Sequence, residues 1–488
     1  MIEMKREVVI GLEIHLQLKT RTKLFCSCST DYIGATPNTN VCPVCLAVPG
    51  TLPVINDRAV DLAVKMGLGL HCDIQDGTRF HRKHYFYADL PKAYQITQYE
   101  HAIAQGGYLD IIAEGKKKRV HLDHLHLEED AGKLVHPTAD GRLSGAAYSL
   151  VDYNRGGMPL SEIVSRPEMN SPAEALAYIA QIRQLARYLD VSDGEMESGS
   201  LRVDVNVSLS NPDGSLGTRV ELKNINSLRS IGRALEYEIA RQNRVLDEGG
   251  ELEQETRLWD DAAGVTRSMR SKEGARDYRY YVEMDLAPID AKPDYVRRIR
   301  ESLPEMPWDK RDRFVSEYGL SLEESQQITE QREVADYYEE IVKAGAPAAK
   351  AANWMRTEVQ RILRDDALDI TEFPISARRL GELISKVERK ELSNTQAKDV
   401  LAAMYGEKLS LEEAMKKCGA SGEKMTGGAL EAVVEKVFAS QPEAVDAIKK
   451  GADKKGAKVK FLQGLVMRET RGSADPAEVA RTVAELLK

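Results

Sequence analysis

A chain of 488 residues is too long for one hydrophobic core and points to two to four domains. With 42% hydrophobic and 30% charged residues its composition is that of an ordinary soluble globular protein, and no apolar run of about 18 residues exists to span a membrane. The formal net charge of −9 argues against a protein that coats nucleic acid nonspecifically, and the opening MIEMKREVVIG is too short and too charged for a secretory signal, so a cytoplasmic location is expected.

The first element is predicted from Gly11 to Leu18, where Leu12, Ile14, Leu16 and Leu18 alternate with Glu13, His15 and Gln17 in the period of a half-buried strand. Glu13 and His15 then share one face. A carboxylate and an imidazole placed this way suit a hard cation held partly through phosphate oxygens, although a merely solvated strand face has the same pattern. Cys26 and Cys28 follow, then thirteen residues, then Cys42 and Cys45 in CPVC. Two close thiol pairs are what a tetrahedral structural zinc site needs. A thioredoxin-like redox pair would want a lone CxxC near a βαβ pattern, and disulfides would want an oxidising compartment; neither context is present.

All nine histidines lie between His15 and His136, so metal or catalytic chemistry is expected in that third of the chain, though a His-poor helical region would leave the same skew. Tyr85–Gln98, broken by Pro91, reads as an extended loop whose aromatic and amide side chains either stack an unpaired nucleotide or line a core edge. His121–Leu127 is predicted as a short strand with His124, His126 and Glu128 on one side and Glu129 and Asp130 at its end. The turn-rich NRGGMPLSE then carries Arg155 and Glu162. Ser171-Pro172-Ala173-Glu174 predicts a capping box opening a helix with Leu176, Ile179, Ile182, Leu185 and Leu189 at helical spacing. Leu201–Leu209 alternates most cleanly, turning Leu201, Val203, Val205, Val207 and Leu209 inward and Arg202, Asp204, Asn206 and Ser208 outward. In Thr218–Lys223 the polar face carries Arg219, Glu221 and Lys223. Several strands that mix carboxylates with fixed cations on one face suggest a surface where metal ions and Arg or Lys hold phosphates. From that alternation Arg202, Arg219 and Lys223 are expected to contact phosphate or substrate. No Walker-type or kinase-type glycine loop occurs.

Beyond Ala287-Pro288 a proline-marked linker leads into helical sequence, with stripes at Val334, Tyr337, Tyr338, Ile341 and Val342 and at Met355, Val359, Ile362 and Leu363 that read as core. A last unit follows Tyr405-Gly406, with Leu430, Val433, Val434, Val437 and Phe438 on one stripe and Asp475-Pro476 opening a final helix that carries Val479, Val483 and Leu486. From Glu407 to Lys488 there are 15 Lys and Arg against 13 Asp and Glu, so this tail repels polyanions least. Its lysine run, including Lys454, Lys455, Lys458 and Lys460, is either a solvated face or a contact for an RNA backbone.

The blocks GLEIHLQLKT, CPVCLAVPGTLPVIN, YFYADLPKAYQITQYE, LHLEEDAGK, YSLVDYNRGGMPLSEIVSRPE, MESGSLRVDVNVSL, GTRVELKNINS and KEGARDYRYY, with the tail KFLQGLVMRETRGSADP, resemble the family of B subunits of the bacterial tRNA-dependent amidotransferases, known as GatB/GatE. The resemblance implies an α+β fold: a mixed or antiparallel-sheet cradle with a zinc-binding loop over 1–295, an all-helical domain over 296–405, and a small helical YqeY-like tail that binds tRNA over 406–488. It implies a heterotrimer in which the two partners are a glutaminase and a small third protein, and association with a nondiscriminating aminoacyl-tRNA synthetase. The implied reaction uses ATP and magnesium to phosphorylate the side-chain carboxylate of Glu or Asp on misacylated tRNA, which channelled ammonia then converts to the amide. By the same match, magnesium falls to Glu13, His15, Glu129 and Glu162 with Glu128 and Glu197 as neighbours. From the strand alternation, and not from the match, Arg202 and Lys223 join the catalytic set, with Arg219 and Lys223 at the nucleotide. Zinc falls to Cys26, Cys28, Cys42 and Cys45. One departure is local: Tyr281, Val282 and Met284 stand where the family pattern has Phe and two prolines around Glu. A longer GatE-type chain is excluded because only about 110 residues separate cradle from tail. The alternative from another class is a noncatalytic, zinc-stabilised tRNA-binding protein.

Overall fold

The computed structural model describes residues 6–138, 146–269, 278–420, 427–450, 456–470 and 474–487. The fold is α+β, in two compact units that meet in sequence at Pro307 and Trp308. Among the described residues no helix is long and apolar enough to cross a membrane.

Among the described residues a mixed sheet of 13 strands dominates the first unit. Its centre is Val8–Gln17, flanked by Leu201–Leu209 on one side and by Pro159–Ser165, then Lys116–Glu129, on the other, all antiparallel. Val220–Lys223 extends the sheet beyond Leu201–Leu209 and pairs in parallel with Glu255–Asp260. The alternation expected from Leu201 to Leu209 is present up to Val207: Leu201, Val203, Val205, Val207 and Leu209 are buried and Arg202, Asp204 and Asn206 are half-exposed, but Ser208, expected outward, is buried. The strand expected over His121–Leu127 is longer, Lys116–Glu129, because its first half pairs with Tyr108–Ala113 in a hairpin. Tyr85–Gln98 is irregular as expected up to Ala93, after which Tyr94–Thr97 joins the sheet.

Helix Pro172–Tyr188 covers the apolar side with Ile179, Ile182 and Leu185 buried. Its start differs from the expected reciprocal box. Ser171 Oγ accepts from the Glu174 N–H, but the Glu174 carboxylate accepts from the Asn170 N–H at 2.7 Å and pairs with Lys118. The nearby ammonium draws the carboxylate one residue upstream of the position a capping box requires. Gly107 joins strand Ala104–Gln105 to strand Tyr108–Ala113 at φ +95°, beside the C-terminal end of helix Asp57–Gly69, and a Cβ there would stand 2.5 Å from the Leu70 carbonyl oxygen. Gly107→Ala is therefore expected to lower stability by at least about 2 kcal/mol, read as a shifted urea midpoint at unchanged slope.

The linker prolines lead into helix Pro293–Glu301, still within the first unit, where Tyr295 Oη donates to Asp61 on helix Asp57–Gly69 at 2.7 Å. In the second unit the predicted stripes are core. Val334, Tyr338 and Ile341 of helix Arg332–Lys343, and Met355, Val359, Ile362 and Leu363, are buried together with Phe314, Trp354 and Leu380. That core runs on to Ala420, and a separate one gathers Leu430, Val434, Val437, Leu462, Val466, Val479 and Val483. Asp475 caps the last helix through the Ala477 N–H, with Pro476 in its first turn.

Candidate active site and thiol cluster

Strand register builds the site. In antiparallel pairs, directly opposed residues turn to the same face, so a row of partners is a row of neighbouring side chains. His126 opposes Glu162, Glu162 opposes His15, and His15 opposes Arg202. In the next row Glu13 opposes Asp204, and Asn206 one step on opposes Glu221. Two groups of potential cation ligands result, each with donor atoms within 4.8 Å of one another: His15, Glu128 and Glu162, and Glu13, Asp204 and Glu221.

In the first group His15 Nε2 lies 3.3 Å from Glu162 and 3.7 Å from Glu128. Burial opposes a charge on His15, but the hydrogen bond and charge of Glu162, with the charge of Glu128, outweigh it and carry the imidazole up to about 9. Glu162 is pushed up by burial and pulled further down by His126, His15 and Lys83, so it stays ionised well below the usual carboxylate range. In the second group Asn206 Nδ2 donates to Glu13 at 2.9 Å, yet burial and the Glu162 charge raise Glu13 above its ordinary value. Lys223 Nζ lies 2.8 Å from Asp204 and 3.1 Å from Glu221. That ammonium already offsets part of the second group's charge. The imidazole–carboxylate trio suits one divalent ion shared with phosphate oxygens, an ion that would displace the proton Glu162 and Glu128 otherwise hold on His15.

The expected residues are brought together unevenly. Glu13, His15, Glu128 and Glu162 gather as described, Lys223 stands at the second group, and Arg202 pairs with Asp130 at 2.7 Å. Glu129 joins neither group among the described residues: its carboxylate accepts from the Ile96 N–H at 2.9 Å and pairs with Lys92. Strand alternation turns it away from Glu128. Glu197 and Arg219 are exposed, Arg219 just ahead of Val220–Lys223. Lys454 and Lys455 lie outside the described residues, while Lys458 and Lys460 are exposed on helix Ala457–Glu469. Asp204 and Glu221 are readable in the sequence as polar-face residues, but only the register shows them facing Glu13.

The four cysteines converge. All four thiols are free and lie within 4.8 Å of one another, and Cys42 and Cys45 Sγ are 3.9 Å apart. Thiolates about a tetrahedral zinc would be roughly 3.8 Å apart, so the group fits a bound metal ion. Cys45 is its most acidic member: hydrogen bonding from Cys26 first, then the Cys42 N–H and the Lys23 charge, draws it down to about 4. Lys23 is fully buried, with Nζ 3.8 Å from Cys45 Sγ and donating to the Tyr153 carbonyl at 3.3 Å. A buried ammonium beside clustered thiols is what surplus thiolate charge calls for. Cys26, Cys45 and Lys23 also line a cavity of about 240 Å³ whose wall includes Lys92, Tyr94 and Glu129.

Residues 8–297 match the family described as GatB/GatE catalytic domain, and residues 336–487 match the one described as GatB domain. The chain is 46% identical over 484 residues to the aspartyl/glutamyl-tRNA(Asn/Gln) amidotransferase B subunit of Carboxydothermus hydrogenoformans, covering 99% of this chain and 98% of that one. The protein of the same name from Thermodesulfovibrio yellowstonii is 44% identical over 487 residues, 99% of this chain and 100% of its own. That of Geobacter sulfurreducens is 45% identical over 487 residues, with the same coverage.

Proposed function

The chain belongs to the GatB/GatE family, and on that premise we propose that it is the B subunit of a tRNA-dependent amidotransferase, a carbon–nitrogen ligase with glutamine as amide donor. It phosphorylates the side-chain carboxylate of Glu-tRNA(Gln), Asp-tRNA(Asn) or both with ATP. Ammonia released from glutamine by the glutaminase partner then converts the acyl phosphate to the amide, and a small third protein completes a cytoplasmic heterotrimer. Its three parts, 1–295, 296–405 and 406–488, serve as catalytic cradle, helical domain and tRNA-binding tail, and Lys454, Lys455, Lys458 and Lys460 meet the RNA backbone. A nondiscriminating synthetase that supplies the misacylated tRNA is the expected further partner.

The row His126–Glu162–His15–Arg202, set beside Glu13–Asp204, carries this reading. A carboxylate makes a poor acyl donor because its leaving group would be oxide. Its oxygen therefore first attacks the γ-phosphorus and displaces ADP; the ammonia nitrogen then attacks the acyl carbon and phosphate leaves, taking up the proton that nitrogen gives up. His15, Glu128 and Glu162, with Glu13 adjoining, would hold magnesium, which when bound neutralises charge building on the phosphates. Arg202 and Lys223, tethered at the ends of their rows by Asp130 and Asp204, bring fixed positive charge to phosphate oxygens, and Arg219 meets the nucleotide from the exposed strand end. Glu129 acts from the cavity side, where its pairing with Lys92 keeps an acid–base pair on that wall. Zinc at Cys26, Cys28, Cys42 and Cys45 is structural.

The test supplies this chain with its glutaminase and small partner proteins, labelled Glu-tRNA(Gln), ATP and glutamine. Gln-tRNA formation that is lost in Glu13→Gln and Glu129→Gln supports the reading. Retained function after both substitutions would leave the zinc-stabilised tRNA-binding protein as the surviving reading.

A further inference from the structure

Two histidines beside the ligand trio have no part in the reaction as derived. Strand Lys116–Glu129 places His124 and His126 two residues apart on the face that carries Glu128. Asp123 Oδ2 is 2.8 Å from His124 Nδ1, and His124 Nε2 is 3.1 Å from His126 Nδ1, with the rings stacked at 5.1 Å. His126 Nε2 then lies 3.4 Å from Glu162 Oε2 and 3.7 Å from Glu128 Oε2. The chain runs inward: the side chain of Asp123 is 61% exposed, that of His124 29% and that of His126 9%.

Glu128 shows what this arrangement does. Its Oε2 faces His126 and accepts from Thr97 Oγ1 at 3.3 Å, while its Oε1 faces His15. One oxygen is held from behind, and the other is presented to the ligand group. Because Asp123 accepts from the His124 Nδ1–H, His124 Nε2 is left to accept from the His126 Nδ1–H, and the His126 Nε2–H then steadies Glu162 as well.

We propose that His126 is a positioning residue for the divalent cation: aligned by His124 and Asp123, it holds the carboxylates of Glu128 and Glu162 in place for His15 to complete the ligand set. The inference rests on the cation reading of that trio. Groups that orient ligands from behind typically set metal affinity by about 10- to 100-fold.

The experiment titrates Mn²⁺ into the full chain and follows free Mn²⁺ by electron paramagnetic resonance. His126→Leu is expected to weaken binding by about 10- to 100-fold, His126→Gln, whose amide N–H reaches the same carboxylates, to recover to within about fivefold of native, and His124→Leu to fall between. A dissociation constant for His126→Leu within about twofold of native overturns the proposal. So does an equal loss in the Leu and Gln variants accompanied by a lowered melting temperature, which is the signature of packing alone. Failure of the native chain to bind any Mn²⁺ that Glu162→Gln abolishes sinks the cation reading itself, a result distinct from the other two.

Discussion

Glu162→Gln is expected to reduce ATP-dependent amidation of Glu-tRNA(Gln) by at least about 10³-fold while leaving the chain folded. Glu162 is the shared oxygen donor of the site: its Oε2 lies 3.3 Å from His15 and 3.4 Å from His126. The isosteric amide keeps the shape and removes the anion, so cation affinity and charge neutralisation at the phosphates fall together. A loss of about 4 kcal/mol of such stabilisation is a thousandfold in rate. Stability should respond far less. Breaking a buried pair is destabilising when it strands a charge, but both partners here are imidazoles that shed their protons once the carboxylate is gone. The destabilisation is accordingly expected near about 1–2 kcal/mol, seen as a small shift in the thermal midpoint. Glu168→Gln, which removes a carboxylate paired with the half-exposed His121, is the matched control and should leave amidation rates near native. Amidation at native rates in Glu162→Gln would remove this carboxylate from the machinery.

What the sequence reveals about this site follows from the range of the forces involved. Alternation is local, so the faces of Val8–Gln17 and Leu201–Leu209 are readable, including Asp204 and Asn206 as outward residues. Register is not local. That His15 meets both Arg202 and Glu162 depends on pairing segments about 150 to 190 residues apart, which no window of sequence contains. Alternation sets Glu128 on the side of His124 and His126, apart from Glu129, but which partners each acid meets is again a matter of register. Only the sheet shows that one faces His15 and the other Lys92. The cysteine cluster is the most legible feature because thiol spacing is itself the constraint on closing a metal loop. Its buried counter-charge, Lys23, carries no signal, since a lysine in a loop is ordinarily solvated. Helix Pro293–Glu301 reads as linker into helical sequence, and its packing on helix Asp57–Gly69, marked by Tyr295 with Asp61, joins residues 234 apart in the chain that no local pattern links.

The thiol cluster gives the second large effect. Cys42→Ser is expected to lower the melting temperature by roughly 8–15 °C, with release of one metal equivalent, while the initial amidation rate at low temperature stays near native. The loop it pins runs from Leu18 to Asn56 with little regular structure, held by isolated contacts such as Asn56 Nδ2 donating to the Thr22 carbonyl at 3.0 Å. A segment so poor in ladder hydrogen bonds depends on its cross-link, and a tetrathiolate ion supplies several kcal/mol that vanish when one ligand is replaced. At about 2–4 °C per kcal/mol for a unit of this size, that loss gives the stated shift. Cys42 is the informative choice because Cys26 and Cys45 line the cavity that also contains Glu129, and changing either would confound folding with chemistry. Without the ion, fully buried Lys23 faces thiols that have no reason to ionise together, so Lys23→Met should recover part of the stability lost in Cys42→Ser. An unaltered melting temperature in the single variant would mean that the four thiols do not hold the loop through a shared ion.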